Sequence, residues 1–493
     1  MHRPSWLPSI HMSILAFALC LSAGVQQGYV VTVLSPPYAH VMQFINETVH
    51  ERVDSHPSEP ALNVLFNSLN VVYSLSCIVG QFVSAWLSRK LGRKGAAILS
   101  CIMCLPGTIM CSLSHTSRSF EMLFAGRILW SLGNGINTVV ATVWLVECAP
   151  KHIRGALISM QEFSMAIGSL VVTAAGVHLA TAERWPLMFI PNIPLVILPV
   201  ILLCLVPDSP QAIMEREKKP EKARAALAKY HGMPADSSFL DDELELVDST
   251  QGSGQETQKR SIKWLFDPFI KDEKKRVVQQ AAWLGVIVKV ACVTTGARVM
   301  RTYTTFVLDT LSFFTTERAN ICSAVIDAFR IPSTFLPILL VDRLGRRALL
   351  NYSLLVCVLC LAGMLAMRPL GPEFMYPSLL AFALIHLVVA AGIGPVSRFY
   401  AAELVPHSLL LETTATLSAF EIVARLILDF SFFPLAKAIG FYVYGIFLVP
   451  SILFLYICWT MCPETSGRNV YQVLTDIAGR KKLKVEFNAN ADF

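Results

Sequence analysis

The chain has 493 residues, 54% of them hydrophobic and only 15% charged, with a formal net charge of +6. A soluble domain carries about 25% charged residues, so much of this surface does not face water. The recurring feature is apolar runs of about 20 residues, the length an α-helix needs to cross a roughly 30 Å hydrocarbon core. The short alternating segments of a membrane β-barrel are not what recurs, which leaves an all-α, multi-pass membrane protein.

In chain order the runs read as twelve spans, the first six at 10–34, 63–87, 96–114, 120–146, 155–178 and 185–205. "MSILAFALCLSAG" in the first has the look of a signal-peptide core. The apolar run continues past it, however, and an even number of spans accounts for the charges between them. The second six lie at 278–308, 319–341, 348–367, 374–402, 411–435 and 440–461. Between the sets, 206–277 holds the helical stretch "EKARAALAKYHG", the acidic "DDELELVD" and the flexible "STQGSGQETQ". The expected domains are a six-helix bundle at 1–205, a cytoplasmic linker with short helices at 206–277, a second bundle at 278–461, and a cytoplasmic tail at 462–493.

The basic clusters "SRKLGRKG", "KHIR", "DRLGRR" and "GRKKLK" all fall on one side of this topology, as does the long linker. The opposite loops hold isolated Arg52, Arg118, Arg184 and Lys437. The positive-inside rule then makes both termini cytoplasmic. Asn46, in an Asn-Glu-Thr acceptor, falls in the first exterior loop, where an N-glycan belongs. A positive balance deployed at membrane ends points to no nucleic acid; the partners expected are the bilayer and a small solute. Thirteen cysteines lie mostly inside apolar runs, and "CIMC" and "CVLC" have no histidine beside them, so they read as packing residues. With no nucleotide-binding glycine loop, metal-ligand histidine spacing or nucleophile–base set, neither an enzyme nor a cofactor or metal is expected.

The halves echo one another. "SRKLGRKGAAIL" follows span 2 and "VDRLGRRALLNY" follows span 8; "WLVECAPKHIRGAL" and "YAAELVPHSLLLET" close spans 4 and 10. Charged motifs repeated at equivalent loops mark a transporter built from two homologous halves, with substrate held near the midplane. "GRK", "GRR", "ECAPKHIRGAL", "PDSPQ", "GPVSRF" and "PETSGR", in this order at helix ends, resemble the sugar-porter family of the major facilitator superfamily, in particular its facilitative glucose transporters. The likeness runs over nearly the whole chain and implies the twelve-helix major facilitator fold. It also implies a cytoplasmic gate formed by Arg93, Lys94, Glu147 and Arg154 in the first half and Arg346, Arg347 and Glu403 in the second. There such pairs tie the halves together, and as exposed pairs each contributes about 0–1 kcal/mol. The family's arginine seven residues after the second-half glutamate is Leu410 here.

Within the bilayer the resemblance locates a substrate cavity whose sugar-binding amides have changed. The family's glutamine of span 5 is Glu162, its span-7 glutamine pair is Cys292 and Val293, and the nearby asparagine is Arg298. An asparagine of span 8 falls at Arg330, the tryptophan of span 10 is Arg398, and Asn-Trp in span 11 is Glu421 and Ile422. A charge at the bilayer centre costs about 2.5–3.5 kcal/mol on insertion scales, so Arg298 and Arg301 in "KVACVTTGARVMRTYTTFVL" are expected to face that cavity. Proton-linked relatives carry an aspartate in span 1 where this chain has Val30, so uniport is expected. The function implied is facilitative transport of hexose-type sugars or polyols by alternating access in the plasma membrane. Surplus arginine leaves open an organic anion, since guanidinium binds carboxylates bidentately, and the lost amides leave open a non-transporting sensor.

Overall fold

The computed structural model describes residues 8–53, 57–149, 154–234, 273–312, 314–337, 344–405, 410–465, 468 and 470–480. The described residues are helices and connecting turns, with no strand among them. The "DDELELVD" and "STQGSGQETQ" stretches of the linker lie outside them. So do 338–343 at the end of span 8, and the side chains of Arg154, Arg398 and Leu410. The chain forms two compact units, 1–255 and 256–493.

Over the described residues, each of the twelve expected spans is mainly helical. Nine stretches among the described residues are long and apolar enough to cross a membrane. Two of them are double: Glu59–Leu113 holds spans 2 and 3, and Phe420–Met461 holds the end of span 11 and span 12. Span 8, Thr316–Ser333, falls short on composition because Glu317, Arg318, Asp327 and Arg330 interrupt it. Spans 2 and 3 run on as 55 helical residues broken at Gly92, whose φ of 80° and ψ of 172° lie in a region open essentially to glycine. The loop expected there is one residue of broken helix.

In the first unit, span 4 packs along the helix carrying spans 2 and 3, with backbones in close approach. A Cβ on Gly107 would lie 2.6 Å from the Trp130 nitrogen, and one on Gly135 2.3 Å from the Cys77 carbonyl. Lipid offers helices little hydrophobic drive to associate, so small residues that let backbones meet do that work. Span 1 is wound as Ile10–Leu19, a π-turn Cys20–Val25 and Gln26–Thr32. Two linker helices, Pro210–Glu217 and Pro220–His231, fold back onto this unit. Ser9 caps span 1 and reaches the carbonyls of Lys229 and Tyr230 at 2.9 and 2.7 Å, and the Tyr230 hydroxyl donates to the Pro207 carbonyl. Burial holds the Tyr230 phenol protonated far above its ordinary range.

The second unit repeats this plan: its C-terminal helix Val470–Arg480 buries Val473, Leu474 and Ile477 and packs on the helix Glu273–Thr294 of span 7. Span 7 itself comes in pieces. Glu273–Thr294 is followed by a break at Gly296, with φ +74°, then by the six residues Ala297–Thr302, a second break at Tyr303, and Thr304–Phe306 with a π-turn.

Candidate functional site

At the basic-loop end of the first unit, the break at Gly92 brings the start of span 3 onto Asp208 of "PDSPQ". Asp208 Oδ1 accepts from the Lys94 backbone N–H at 2.9 Å, a carboxylate placed where a helix N-terminus favours negative charge. A Cβ at Gly92 would lie 2.1 Å from Asp208 Oδ2. Lys94 Nζ donates to the carbonyls of Cys204 and Val206, at 3.1 and 2.9 Å, where span 6 ends. Arg93 donates to Glu147 at 2.8 Å and, through its other nitrogen, to Glu215 of the linker at 2.6 Å. The Ser209 hydroxyl donates to the second oxygen of Glu147. The Arg93 and Glu147 side chains are only 8% and 9% exposed, so this is a buried network rather than the weak exposed pair expected from the sequence. Removing one partner of such a pair costs about 3–5 kcal/mol.

The second unit builds the same figure from "PETSGR". Gly345 has φ 83° and ψ 158°, and Glu464 accepts the Arg346 and Arg347 backbone N–H groups at 2.8 and 3.1 Å, capping span 9. Thr465 donates to Glu403 at 2.5 Å, as Ser209 does to Glu147. The Tyr400 hydroxyl donates to the Pro463 carbonyl at 2.6 Å, and Arg347 to the Trp459 carbonyl at 2.6 Å. Arg346 lies 3.6 Å from Glu403, in a pair 17% and 32% exposed. This contact is looser and wetter than its counterpart.

Between these ends and the far side of the bilayer the units diverge. In the first, the buried Arg127 donates to neutral acceptors, the Val30 carbonyl at 2.9 Å and the Leu69 carbonyl and Asn70 amide oxygen at 3.4 Å. Trp130 donates to Gln26 at 3.1 Å and Thr142 to Gln161 at 3.1 Å. Glu162 is half-buried on the next position of that helix. In the second unit the polar interior is ionic. Arg298 of span 7 is paired with Glu421 of span 11, whose other oxygen lies 3.4 Å from Lys289 Nζ. Arg330 and Asp327 of span 8 pair at 3.2 Å with side chains 2% and 7% exposed. Arg425 and Asp429 of span 11 pair at 3.3 Å.

Of the residues expected to line the cavity, Arg298 and Glu421 thus come together, and Arg330 sits apart with Asp327. Cys292 and Val293 are buried on the span-7 helix, at 1% and 0% exposure, and offer no open surface. Arg301 is buried too. Three partners went unforeseen. Lys289 interrupts "LGVIVKVACV", where the insertion cost that drew attention to Arg298 applies equally. Asp327 stands three residues before Arg330, a spacing that puts both on one helix face. Glu215 carries no motif signal, because its role depends on where the linker folds.

The model of the sugar (and other) transporter family matches residues 15–476. The chain is a multi-pass membrane transporter-family protein of the major facilitator fold, and it belongs to that family. Human solute carrier family 2, facilitated glucose transporter member 4, is 25% identical over 93% of this chain and 89% of its own. Facilitated glucose transporter protein 1 of Caenorhabditis elegans is 24% identical over 95% and 91%. Among solved structures, the inward-open xylose transporter XylE from E. coli superposes with a TM-score of 0.75 at 19% identity, over 94% of this chain and 99% of its own.

Proposed function

We propose that this protein is a facilitative transporter of hexose-type sugars or polyols, working by alternating access in the plasma membrane with both termini cytoplasmic. Family membership over 15–476 carries the reading, and relatives named as facilitated glucose transporters, matched over about nine-tenths of both chains, support the substrate class. A neutral solute is favoured over an anion because Arg298 and Arg330, two of the arginines that suggested one, already hold carboxylates of the same unit. Uniport follows from Val30, a buried apolar side chain where proton-linked relatives carry an acid. The residues proposed to face the solute are Glu162, Arg298, Arg398 and Glu421. Arg93, Lys94, Glu147, Arg154, Arg346, Arg347 and Glu403 form the proposed cytoplasmic gate, and Asn46 is the proposed exterior glycan site. Functional boundaries at 205, 277 and 461 follow the ends of the membrane runs.

The test is uptake into oocytes or proteoliposomes of labelled glucose, fructose and a panel of small carboxylates. Saturable sugar flux indifferent to carboxylates and to a proton gradient is expected. Carboxylate flux abolished in Arg298→Gln would overturn the substrate class, and no flux of either, with the protein at the surface, would overturn transport itself.

A further inference from the structure

Glu421 stands across a break. The helix Glu273–Thr294 ends with its Thr294 carbonyl accepting from Ser451 at 3.0 Å, outside the helical ladder. Gly296 then turns at φ +74°, with the Phe447 ring 2.7 Å from where a Cβ would be, so the break is fixed in place by sterics. Beyond it, Ala297–Thr302 is six residues long and ends at Tyr303, whose φ of −120° and ψ of 27° break the helix again. The segment is short, has a break at each end, and is held against the neighbouring helices Met375–Ala391 and Leu410–Ile439.

One polar tie to the segment runs through a carboxylate. Glu421 takes Arg298, after the break, on one oxygen and Lys289, before the break, on the other at 3.4 Å. Its own helix is anchored to the longer piece of span 7 by apolar contacts, with Phe420 against Trp283 at 5.5 Å and Leu417 against Val286. Past the short segment, Tyr303 and Phe306 meet Phe433 at 5.4 and 4.7 Å. Aromatic faces of this kind tolerate sliding better than a two-ended ionic contact does. Arg298 and Glu421 are 17% and 18% exposed, half-sheltered rather than sealed, which suits a contact that opens and re-forms.

We propose that Glu421 is a positioning residue that clips the segment Ala297–Thr302 to the long piece of span 7. Release of this clip is the local step that frees the segment to move during transport. The second clause rests on the transport reading above; the clip itself does not. Lys289 holds the carboxylate in register on the fixed side, and Arg298 is the side that lets go.

Hydrogen–deuterium exchange of the full chain in lipid nanodiscs tests it without any transported solute. In Glu421→Gln, amides of 297–311 should exchange roughly 10-fold faster or more, while 273–294 and 346–367 stay within about 2-fold of wild type. Arg298→Gln should give the same local pattern, and the double variant no more than either alone. Glu421→Asp, which keeps the charge, should recover most of the protection. Lys289→Met, an apolar fit to a buried site, should loosen 297–311 less than Glu421→Gln. Unchanged exchange at 297–311 in both Glu421→Gln and Arg298→Gln overturns the clip, as does acceleration spread evenly over the second unit. Localised acceleration in a protein that moves no sugar leaves the clip standing and overturns the transport reading instead.

Discussion

Pro207-Asp208-Ser209 in the first unit and Pro463-Glu464-Thr465 in the second perform the same three tasks with side chains of different size. The proline carbonyl takes a tyrosine hydroxyl, the acid caps the helix that follows a strained glycine, and the hydroxyl donates to the glutamate closing a span. The contacts described in the membrane interiors differ: Arg127 donates to neutral acceptors in one unit, while carboxylates hold Arg298, Arg330 and Arg425 in the other. The difference shows which part of a duplicated fold is constrained. Loop-end figures close helix termini, whose backbone groups demand partners wherever the helix ends. The interior is held only by what must be bound or moved, and there one unit has become ionic.

If the loop-end networks differ in burial as described, they should differ in worth, and that gives the largest expected effect. Arg93→Met leaves Glu147 and Glu215 without the cation they share, at a cost of about 3–5 kcal/mol. Arg346→Met, at a longer 3.6 Å contact whose carboxylate partner is 32% exposed, should cost less. Thermal denaturation of the two variants in detergent, side by side, checks this, and equal losses would break the asymmetry. The strained glycines should come next and behave alike. Gly92→Ala and Gly345→Ala each force a side chain into backbone space worth about 1–3 kcal/mol of strain. Gly92→Ala should be the worse, since its Cβ would sit 2.1 Å from Asp208 against 2.7 Å from Glu464 for the other.

Much of this fold was legible because length and apolarity alone select a membrane helix. Span 8 illustrates the limit. Its four charges depress its apolarity, and only the pairing of Asp327 with Arg330 explains how it is buried. The motif residues Arg93, Glu147, Arg346 and Glu403 were legible because loop motifs repeat. Lys94 belongs to the same motif, and its ammonium turns to the carbonyls ending span 6. Cys292 and Val293 were placed by likeness to glutamines, yet helix register turns both into the core. Sequence likeness carries position along a helix, and it does not carry what a changed side chain will touch. Hence Arg298 and Glu421 are legible as charges, but Lys289, the second cation on Glu421, is not.

The smallest effect should fall at the glycan acceptors, where the units differ again. The chain has two Asn-x-Ser/Thr acceptors, Asn46 and Asn351. Asn46 is half-buried on the helix Tyr38–Val53 that follows span 1, outside any apolar run. Asn351 is 4% exposed near the start of span 9, within the membrane, where a glycan has no room. With the basic loops inside, only the first should be modified. Asn46→Gln should abolish a glycosidase-sensitive mobility shift while changing stability by no more than about 0.5 kcal/mol, and Asn351→Gln should leave the shift intact. A shift that survives Asn46→Gln would reverse the orientation on which the cytoplasmic placement of both networks depends.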